Sequence, residues 1–196
     1  MKRLLDKFAS TGEEYDKIFE KRRAEGISPV DKERWKLLMK YYKEGKLLDV
    51  GCLDSEIPEL MDSKNYVGID ISPKAINEMR KKYPDAYYHI KSLVDHYDEY
   101  DYLIMGEFLE HVEDPKKEVE LAFKLLKQGG ILAISAPFNE TIAGDVDGIH
   151  HMWSLDFNDL AEFCSPLATK VENGIITAEP GKPYHHPLMV SFWKKN

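Results

Sequence analysis

The chain has 196 residues, a length that fits one domain, and 43% of them are hydrophobic, which is enough for a core. The net charge of −8 at pH 7 argues against general nucleic-acid binding, because such binding relies on lysine and arginine neutralising phosphates. Cys52 and Cys164 form neither a disulfide framework nor a zinc-ligand pattern. No apolar run is long enough to cross a bilayer and the N-terminus is too charged for a signal peptide, so we expect a cytoplasmic protein without a membrane partner.

The first predicted elements are helical. Hydrophobic side chains recur at spacings near three and four between residues 11 and 42, which predicts two helices separated by a turn at residues 26–29. Helices of this kind are suited to capping one end of a sheet. The pattern after residue 45 is different, because short apolar runs now alternate with amphipathic segments.

The alternating region predicts both strands and helices. The predicted strands are residues 46–51, 66–71, 86–90, 100–105 and 131–135. The predicted helices are residues 55–61, 73–83 and 115–127, the last of them capped by Gly129 and Gly130. After a loop at 136–153 we predict a helix at 155–163 and a hairpin of strands 169–178 and 188–193, joined by a turn at 179–183.

This order of elements predicts an α/β fold. Strands that alternate with helices build a mostly parallel, doubly wound sheet that is covered on both faces. We expect a single domain over residues 1–196, with a helical cap at 1–45 and a Rossmann-like core at 46–196.

Two strand ends carry residues that suit a nucleoside. Gly51 ends the first strand, where a glycine lets a ligand approach the backbone. Asp70 ends the second strand, roughly 20 residues later, where a carboxylate can accept hydrogen bonds from a ribose diol. An alternative is that Asp70 only marks the entry to the next helix. A nicotinamide-dependent dehydrogenase is disfavoured because the Gly-x-Gly-x-x-Gly turn is missing.

Four segments in sequence resemble one enzyme family. Residues 47–52 (LLDVGC) and 67–72 (VGIDIS) resemble the first two motifs of class I S-adenosylmethionine-dependent methyltransferases. Residues 101–115 (DYLIMGEFLEHVEDP) and 125–132 (LLKQGGIL) are similar to segments of the subfamily that includes ubiquinone- and menaquinone-biosynthesis methyltransferases. The resemblance implies S-adenosylmethionine as cofactor and a seven-stranded sheet whose last strand is antiparallel.

The resemblance also implies roles for individual residues. Asp49 and Gly51 would lie near the methionine part of the cofactor, and Asp70 would hold the ribose. Tyr15 would reach the methionine carboxylate from the N-terminal helices. The complete set of expected cofactor contacts is Tyr15, Asp49, Gly51, Cys52, Leu53, Asp70, Ile71, Ser92, Leu93, Glu107 and Phe108. Among these, Ile71, Ser92 and Leu93 would surround the adenine, and Glu107 and Phe108 would line the sulfonium end.

The first motif departs from the family pattern in one respect. Leu53 and Ser55 stand where the family usually has its second and third glycines. Side chains there would crowd the cofactor or require an altered loop. A degenerate binding module that keeps the fold without turnover is therefore an alternative to an enzyme.

Three histidines are the candidates for proton transfer to or from a methyl acceptor. His111 follows the fourth strand, and His150 and His151 lie in the loop after the fifth, so the fold brings both segments over the site of methyl transfer. A purely structural role for Glu110 and His111 is the alternative. The leading prediction is a methyltransferase that acts on an oxygen, nitrogen or carbon of a small molecule, without a metal.

A second alternative is a metal-dependent RNA 2′-O-methyltransferase. Glu107, Glu110 and His111, together with a histidine from the next loop, resemble the metal-binding pattern of the small-RNA 3′-terminal 2′-O-methyltransferases. The acidic charge and the lack of an evident RNA-binding module make a nucleic-acid partner less favoured.

Overall fold

A seven-stranded sheet forms the centre of the computed structural model, which describes residues 1–4, 11–140, 145–146, 149–177 and 187–196. Its strands are β1 Leu47–Val50, β2 Tyr66–Asp70, β3 Tyr87–Ile90, β4 Tyr100–Gly106, β5 Leu126–Pro137, β6 Ala168–Ile176 and β7 Leu188–Lys195. They are arranged in the order β6-β7-β5-β4-β1-β2-β3.

The direction of the strands agrees with the predicted fold class. β1 pairs in parallel with β2 and β4, and the parallel arrangement continues to β3 on one side and β5 on the other. β7 runs antiparallel to both of its neighbours, β5 and β6. The chain moves outward from β1 to β3 and then returns to place β4 beside β1. This change of direction creates the switch point at which ligands bind in sheets of this type.

Five α-helices accompany the sheet in the part of the chain that the structure describes, and each begins with a recognisable cap. They are α1 Gly12–Glu25, α2 Pro29–Leu38, α3 Pro73–Lys82, α4 Pro115–Leu125 and α5 Phe157–Cys164. Thr11 and Ser28 form capping boxes with Glu14 and Asp31. Ser72 and Asp114 cap α3 and α4 just before a proline, whose fixed φ suits the first helical position. These caps explain why the helix starts were predictable.

The core lies on both faces of the sheet. Neighbouring residues of one strand point to opposite faces, so Leu48 and Leu103 pack in the hydrophobic cluster that contains residues of α4 and α5. Leu47 and Ile104 pack in the cluster that contains residues of α2 and α3. This explains why the central strands are continuous apolar runs.

α1 is held over the carboxyl ends of the strands mainly by polar contacts. Asp16 accepts hydrogen bonds from the Ser72 hydroxyl and from the Lys74 backbone N–H, at the N-terminus of α3. Arg22 binds Asp54 at 2.9 Å. Only Ile18 and Phe19 of α1 are buried. The helix therefore lies over the switch point.

The structure corrects two local predictions. Residues 55–61 do not form an α-helix, because only a short 3₁₀ turn, Ile57–Leu60, is present. α4 ends at Leu125 and is not capped by Gly129 and Gly130. Leu126 instead pairs with Tyr100 and begins β5, and the two glycines lie in a bulge of that pairing. The predicted turn at 179–183 falls outside the described residues.

The loop predicted at 136–153 contains short strands. Asp145–Val146 pairs with Ile149–His150, and Trp153–Ser154 pairs with Lys2–Arg3 near the N-terminus. Among the described parts of the chain, no helix has the length and apolar character that crossing a membrane requires.

Candidate active site

A cavity of about 780 Å³ opens at the carboxyl ends of the central strands, beneath α1 and α2. This volume lies within the range of small-molecule sites. The lining combines the loop after β1, the end of β2 and the turn after β4 with residues of both N-terminal helices. The cavity therefore occupies the switch point of the sheet.

Asp49 lies in β1 at the floor of the cavity and is almost completely buried. The Tyr66 hydroxyl donates a hydrogen bond of 2.8 Å to its carboxylate. Burial raises the pKa of Asp49 to about 6, although hydrogen bonds from Tyr66 and Ser55 and the charge of Arg34 act in the opposite direction. The carboxylate is thus held in place at the floor of the cavity.

Asp70 ends β2 and is held by the backbone of two loops. Its carboxylate accepts hydrogen bonds from the N–H groups of Leu53 at 3.0 Å and Ser72 at 2.8 Å. Burial raises the pKa of Asp70 to about 6, while these backbone hydrogen bonds lower it. A carboxylate offers about four lone-pair sites, and the backbone N–H groups of Leu53, Ser72 and Ile71 do not fill all of them, so Asp70 can still accept a hydrogen bond from a ligand hydroxyl.

The loop after β1 accommodates the two residues that replace glycines. Leu53 adopts a positive φ of 36°, a region that favours glycine, and its N–H is the group that binds Asp70. Ser55 is buried, and its hydroxyl hydrogen-bonds with Asp49. Both side chains are incorporated into the site, and the loop still carries the hydrogen bond that fixes Asp70.

Glu107 follows β4 and belongs to a buried ion network. The Ser135 hydroxyl donates to it at 3.0 Å, and the Arg34 guanidinium lies 3.7 Å away. Arg34 also binds Asp31 at 3.0 Å. Burial raises the pKa of Glu107, and the charge of Arg34 lowers it. Arg34 is thus placed among the buried carboxylates of the cavity.

Two histidines meet on the other side of the cavity. The rings of His111 and His151 are edge to face, with centroids 4.9 Å apart. His151 Nδ1 lies 2.7 Å from a carboxylate oxygen of Glu140, which is buried. An ionised carboxylate only accepts hydrogen bonds, so Nδ1 carries the proton and Nε2 of a neutral ring keeps its lone pair.

Glu110 lies beside these histidines and is 1% exposed. Its pKa is raised well above the ordinary value, first by burial and then by the negative charge of Glu107. No donor from another described residue lies within hydrogen-bonding distance of either carboxylate oxygen. The cluster offers one carboxylate oxygen and two ring nitrogens, from Glu110, His111 and His151, and these three atoms lie within 4.8 Å of one another.

All the cofactor contacts expected from the sequence line this one cavity. They are Tyr15, Asp49, Gly51, Cys52, Leu53, Asp70, Ile71, Ser92, Leu93, Glu107 and Phe108. His111 and His151 line it as well, whereas the side chain of His150 lies outside the described part of the structure. Their contacts with a cofactor or an acceptor stay predictions.

Sequence reasoning missed three residues of the site. Arg34 and Asp31 face the cavity from α2, and Glu140 holds His151. The capping box at Ser28 and the spacing of three residues between Asp31 and Arg34 indicate an ion pair on α2. The sequence carries no comparable signal for Glu140.

Comparison with known proteins identifies the family. A profile described as "Methyltransferase domain" matches residues 12–169. A ubiquinone biosynthesis O-methyltransferase of Psychrobacter arcticus is 31% identical over 169 residues, covering 76% of this chain and 65% of the relative. The enzyme of the same name from Actinobacillus pleuropneumoniae is 26% identical over 174 residues, covering 77% of this chain and 74% of the relative.

Solved structures show the same fold. The N-methyltransferase NodS of Bradyrhizobium japonicum in complex with S-adenosyl-L-homocysteine has a TM-score of 0.73 at 15% identity, covering 93% of this chain and 98% of that one. The 1,6-didemethyltoxoflavin-N1-methyltransferase of Burkholderia thailandensis, with bound 1,6-didemethyltoxoflavin and S-adenosylhomocysteine, has a TM-score of 0.74 at 13% identity, covering 98% and 94%. With the matching profile and the ubiquinone biosynthesis relatives, the chain belongs to the class I S-adenosylmethionine-dependent methyltransferases.

Proposed function

We propose that this methyltransferase acts on an oxygen, nitrogen or carbon atom of a small molecule, within a single domain that has a helical cap at 1–45 and a core at 46–196. The observation that carries the proposal is the cavity at the switch point, where buried Asp49 and Asp70 and half-buried Glu107 lie at or near the ends of three neighbouring strands. S-adenosylmethionine carries positive charge on its sulfonium and ammonium groups, which suits an acidic cavity.

The cofactor would lie along the carboxyl ends of β1, β2 and β4. Asp70 would accept hydrogen bonds from the ribose hydroxyls, with Ile71, Ser92 and Leu93 around the adenine. Asp49 and the loop that contains Gly51, Cys52 and Leu53 would contact the methionine part. This placement puts the sulfonium near Glu107 and Phe108, on the side where the histidines lie.

Methyl transfer is a displacement in line with the carbon–sulfur bond, so the enzyme mainly positions the acceptor and manages its proton. The acceptor atom forms a bond to the methyl carbon, and the electron pair of the broken bond stays on sulfur. The candidates for accepting a proton are His111, His150 and His151. For His151, the hydrogen bond with Glu140 supports this role because it leaves Nε2 with a lone pair.

The alternative of a degenerate binding module without turnover rests on Leu53 and Ser55, which replace two glycines of the first motif. In the structure the backbone of Leu53 supports Asp70, and Ser55 hydrogen-bonds with Asp49, so these residues favour a working site over a decayed one. For the RNA alternative, the net charge of −8 opposes the approach of a polyanion. We therefore retain the small-molecule acceptor.

Titration calorimetry with S-adenosylhomocysteine, followed by transfer of a radiolabelled methyl group to a panel of phenols, amines and carbon acids, tests the proposal. We expect micromolar binding and transfer to at least one class of acceptor. Binding without transfer to any of them supports the degenerate module, and absence of binding contradicts the proposed function altogether.

A further inference from the structure

Asp49 lies at the floor of the cavity between two buried hydroxyl groups that come from different elements. Tyr66 begins β2, and its hydroxyl donates a hydrogen bond of 2.8 Å to the Asp49 carboxylate. Burial raises the pKa of Tyr66 well above its ordinary value, so the hydroxyl keeps the proton that it donates. The Ser55 hydroxyl hydrogen-bonds with the same carboxylate. Its oxygen accepts from the Ile57 backbone N–H at 3.3 Å, which leaves its own proton for Asp49.

The register of the sheet explains how Tyr66 reaches Asp49. Asp49 in β1 is paired with Gly68 in β2, and Tyr66 lies two residues before Gly68, on the same face of the sheet. Because Gly68 has no side chain, the Tyr66 side chain has room to extend along β2 to the carboxylate. Ser55 stands where related enzymes usually have a glycine, which offers no side-chain donor. The second hydroxyl is therefore a departure of this chain from the family pattern.

The other titratable groups that face Asp49 act through charge or stay neutral. Arg34 in α2 favours the ionised form of Asp49, whereas the negative charge of Asp70 at the end of β2 opposes it. Cys52, after β1, and Tyr88, in β3, also lie near Asp49. Burial raises the pKa of both groups above their ordinary values, so both are uncharged at pH 7. Direct donation to the carboxylate therefore comes from the two hydroxyls, within the described part of the chain.

We propose that Tyr66, assisted by Ser55, is a positioning residue that keeps the Asp49 carboxylate ionised and directed towards the ammonium group of the cofactor. The inference rests on the proposed function, in which Asp49 contacts the methionine part of S-adenosylmethionine. An ammonium group is stabilised by an ionised carboxylate, and a buried carboxyl group without donors takes up a proton instead. The two hydroxyls oppose the burial that raises the pKa of Asp49 to about 6, so most of Asp49 is ionised at pH 7.

Carbon-13 NMR of the Asp49 carboxyl group, recorded against pH in the cofactor-free protein and assigned by its loss in Asp49→Asn, tests the inference. We expect Tyr66→Phe to raise the pKa of Asp49 to about 7 or 8, because the lost hydrogen bond favoured the ionised form. Ser55→Ala should raise it as well. Tyr100→Phe is the matched control and should leave the pKa of Asp49 unchanged. Tyr100 is a completely buried tyrosine at the start of a strand, like Tyr66, and its hydroxyl contacts His96.

The affinity for S-adenosylhomocysteine, which keeps the ammonium group but lacks the sulfonium charge, is the second measurement. At pH 7 calorimetry should show that Tyr66→Phe binds about twofold to tenfold more weakly, since a pKa of about 7 to 8 leaves roughly a half to a tenth of Asp49 ionised. At pH 9 the difference should fall below about twofold, because Asp49 is then ionised in both proteins. The ligand titrates equally in both experiments. A merely structural loss would persist at both pH values.

An unchanged pKa of Asp49 in Tyr66→Phe and Ser55→Ala, or an equal rise in Tyr100→Phe, would overturn the inference. A raised pKa with an unchanged affinity at pH 7 contradicts it too, because Asp49 then does not meet the ammonium group. Failure of the proposed function has a different signature: the unchanged protein binds no S-adenosylhomocysteine at any pH, whatever the titration of Asp49 shows. Thermal unfolding confirms that each variant is folded, and Ser55→Ala takes the place of Tyr66→Phe in both measurements if the latter does not fold.

Discussion

The ring of Phe108 packs against Gly51 so closely that a Cβ added to Gly51 would lie 2.9 Å from Phe108 Cδ2. Gly51 also has a φ of 68°, which side chains rarely adopt. Two independent reasons, backbone conformation and contact, therefore keep this position a glycine. The contact joins the loop after β1 to the turn after β4, the two segments between which we place the reacting end of the cofactor.

We expect Gly51→Ala to weaken the binding of S-adenosylhomocysteine by at least about fivefold and to lower the free energy of unfolding by about 1–2 kcal/mol, the cost of a left-handed conformation for a residue with a Cβ. Calorimetry and urea unfolding measure the two effects. Gly174→Ala is the control, because a Cβ at Gly174 meets nothing within 4 Å. Equal effects of the two substitutions would contradict the assignment of Gly51.

Asp70→Asn should weaken the binding of S-adenosylhomocysteine by about tenfold to a hundredfold. Hydrogen bonds to a charged group contribute about 1.5–3 kcal/mol each, and about 1.4 kcal/mol corresponds to a factor of ten. Asp85→Asn, at an exposed position before β3, is the control and should bind normally. An unchanged dissociation constant for Asp70→Asn, measured by calorimetry on folded protein, would remove Asp70 from the ribose site.

Cofactor affinity should fall as the pH is lowered. The pKa of Asp70 in the free protein is raised to about 6, and donors of the ribose bind its ionised form, so the pKa of Asp70 falls in the complex. If the cofactor binds only the ionised carboxylate, a pKa of about 6 lowers the cofactor affinity about tenfold when the pH falls from 7 to 5. Asp49, whose pKa is also about 6, adds a similar effect.

Calorimetry at pH 5, 6 and 7 measures this pH dependence, and Asp70→Asn is the comparison. The variant should show a flatter profile, because one of the two titrating carboxylates is removed. An equally steep profile in the variant would show that Asp70 does not titrate on binding.

Arg34→Met should destabilise the protein by about 3 kcal/mol, because it leaves the buried carboxylate of Asp31 and the half-buried carboxylate of Glu107 without this cation. Arg23→Met is the control, since Arg23 forms an exposed ion pair with Glu78 and such pairs contribute about 0–1 kcal/mol. Guanidinium unfolding of both variants provides the comparison. Similar losses for both arginines would show that the network around Arg34 contributes no more than a surface pair.

Local sequence patterns were sufficient to predict the strands of the sheet and several of the residues that line the cavity. Asp49, Gly51 and Asp70 were predictable because each lies in or directly after a buried apolar run, and parallel strands bring such positions to one edge. Gly129 and Gly130 were misinterpreted because a glycine pair after an amphipathic helix is typical of a helix cap. Only the pairing of Leu126 with Tyr100 shows that the pair belongs to a bulge.

The sequence by itself therefore determined the order of the strands along the chain, the helix starts and the carboxylates at the strand ends, since these depend on neighbours within a few residues. The tertiary structure decided that Arg34 approaches Glu107, that Glu140 holds His151, and that Glu110 is almost completely buried. These relationships depend on how α2 and the segment after β5 pack over the sheet. Burial and charge in the cavity arise from that packing, and no local sequence pattern encodes them.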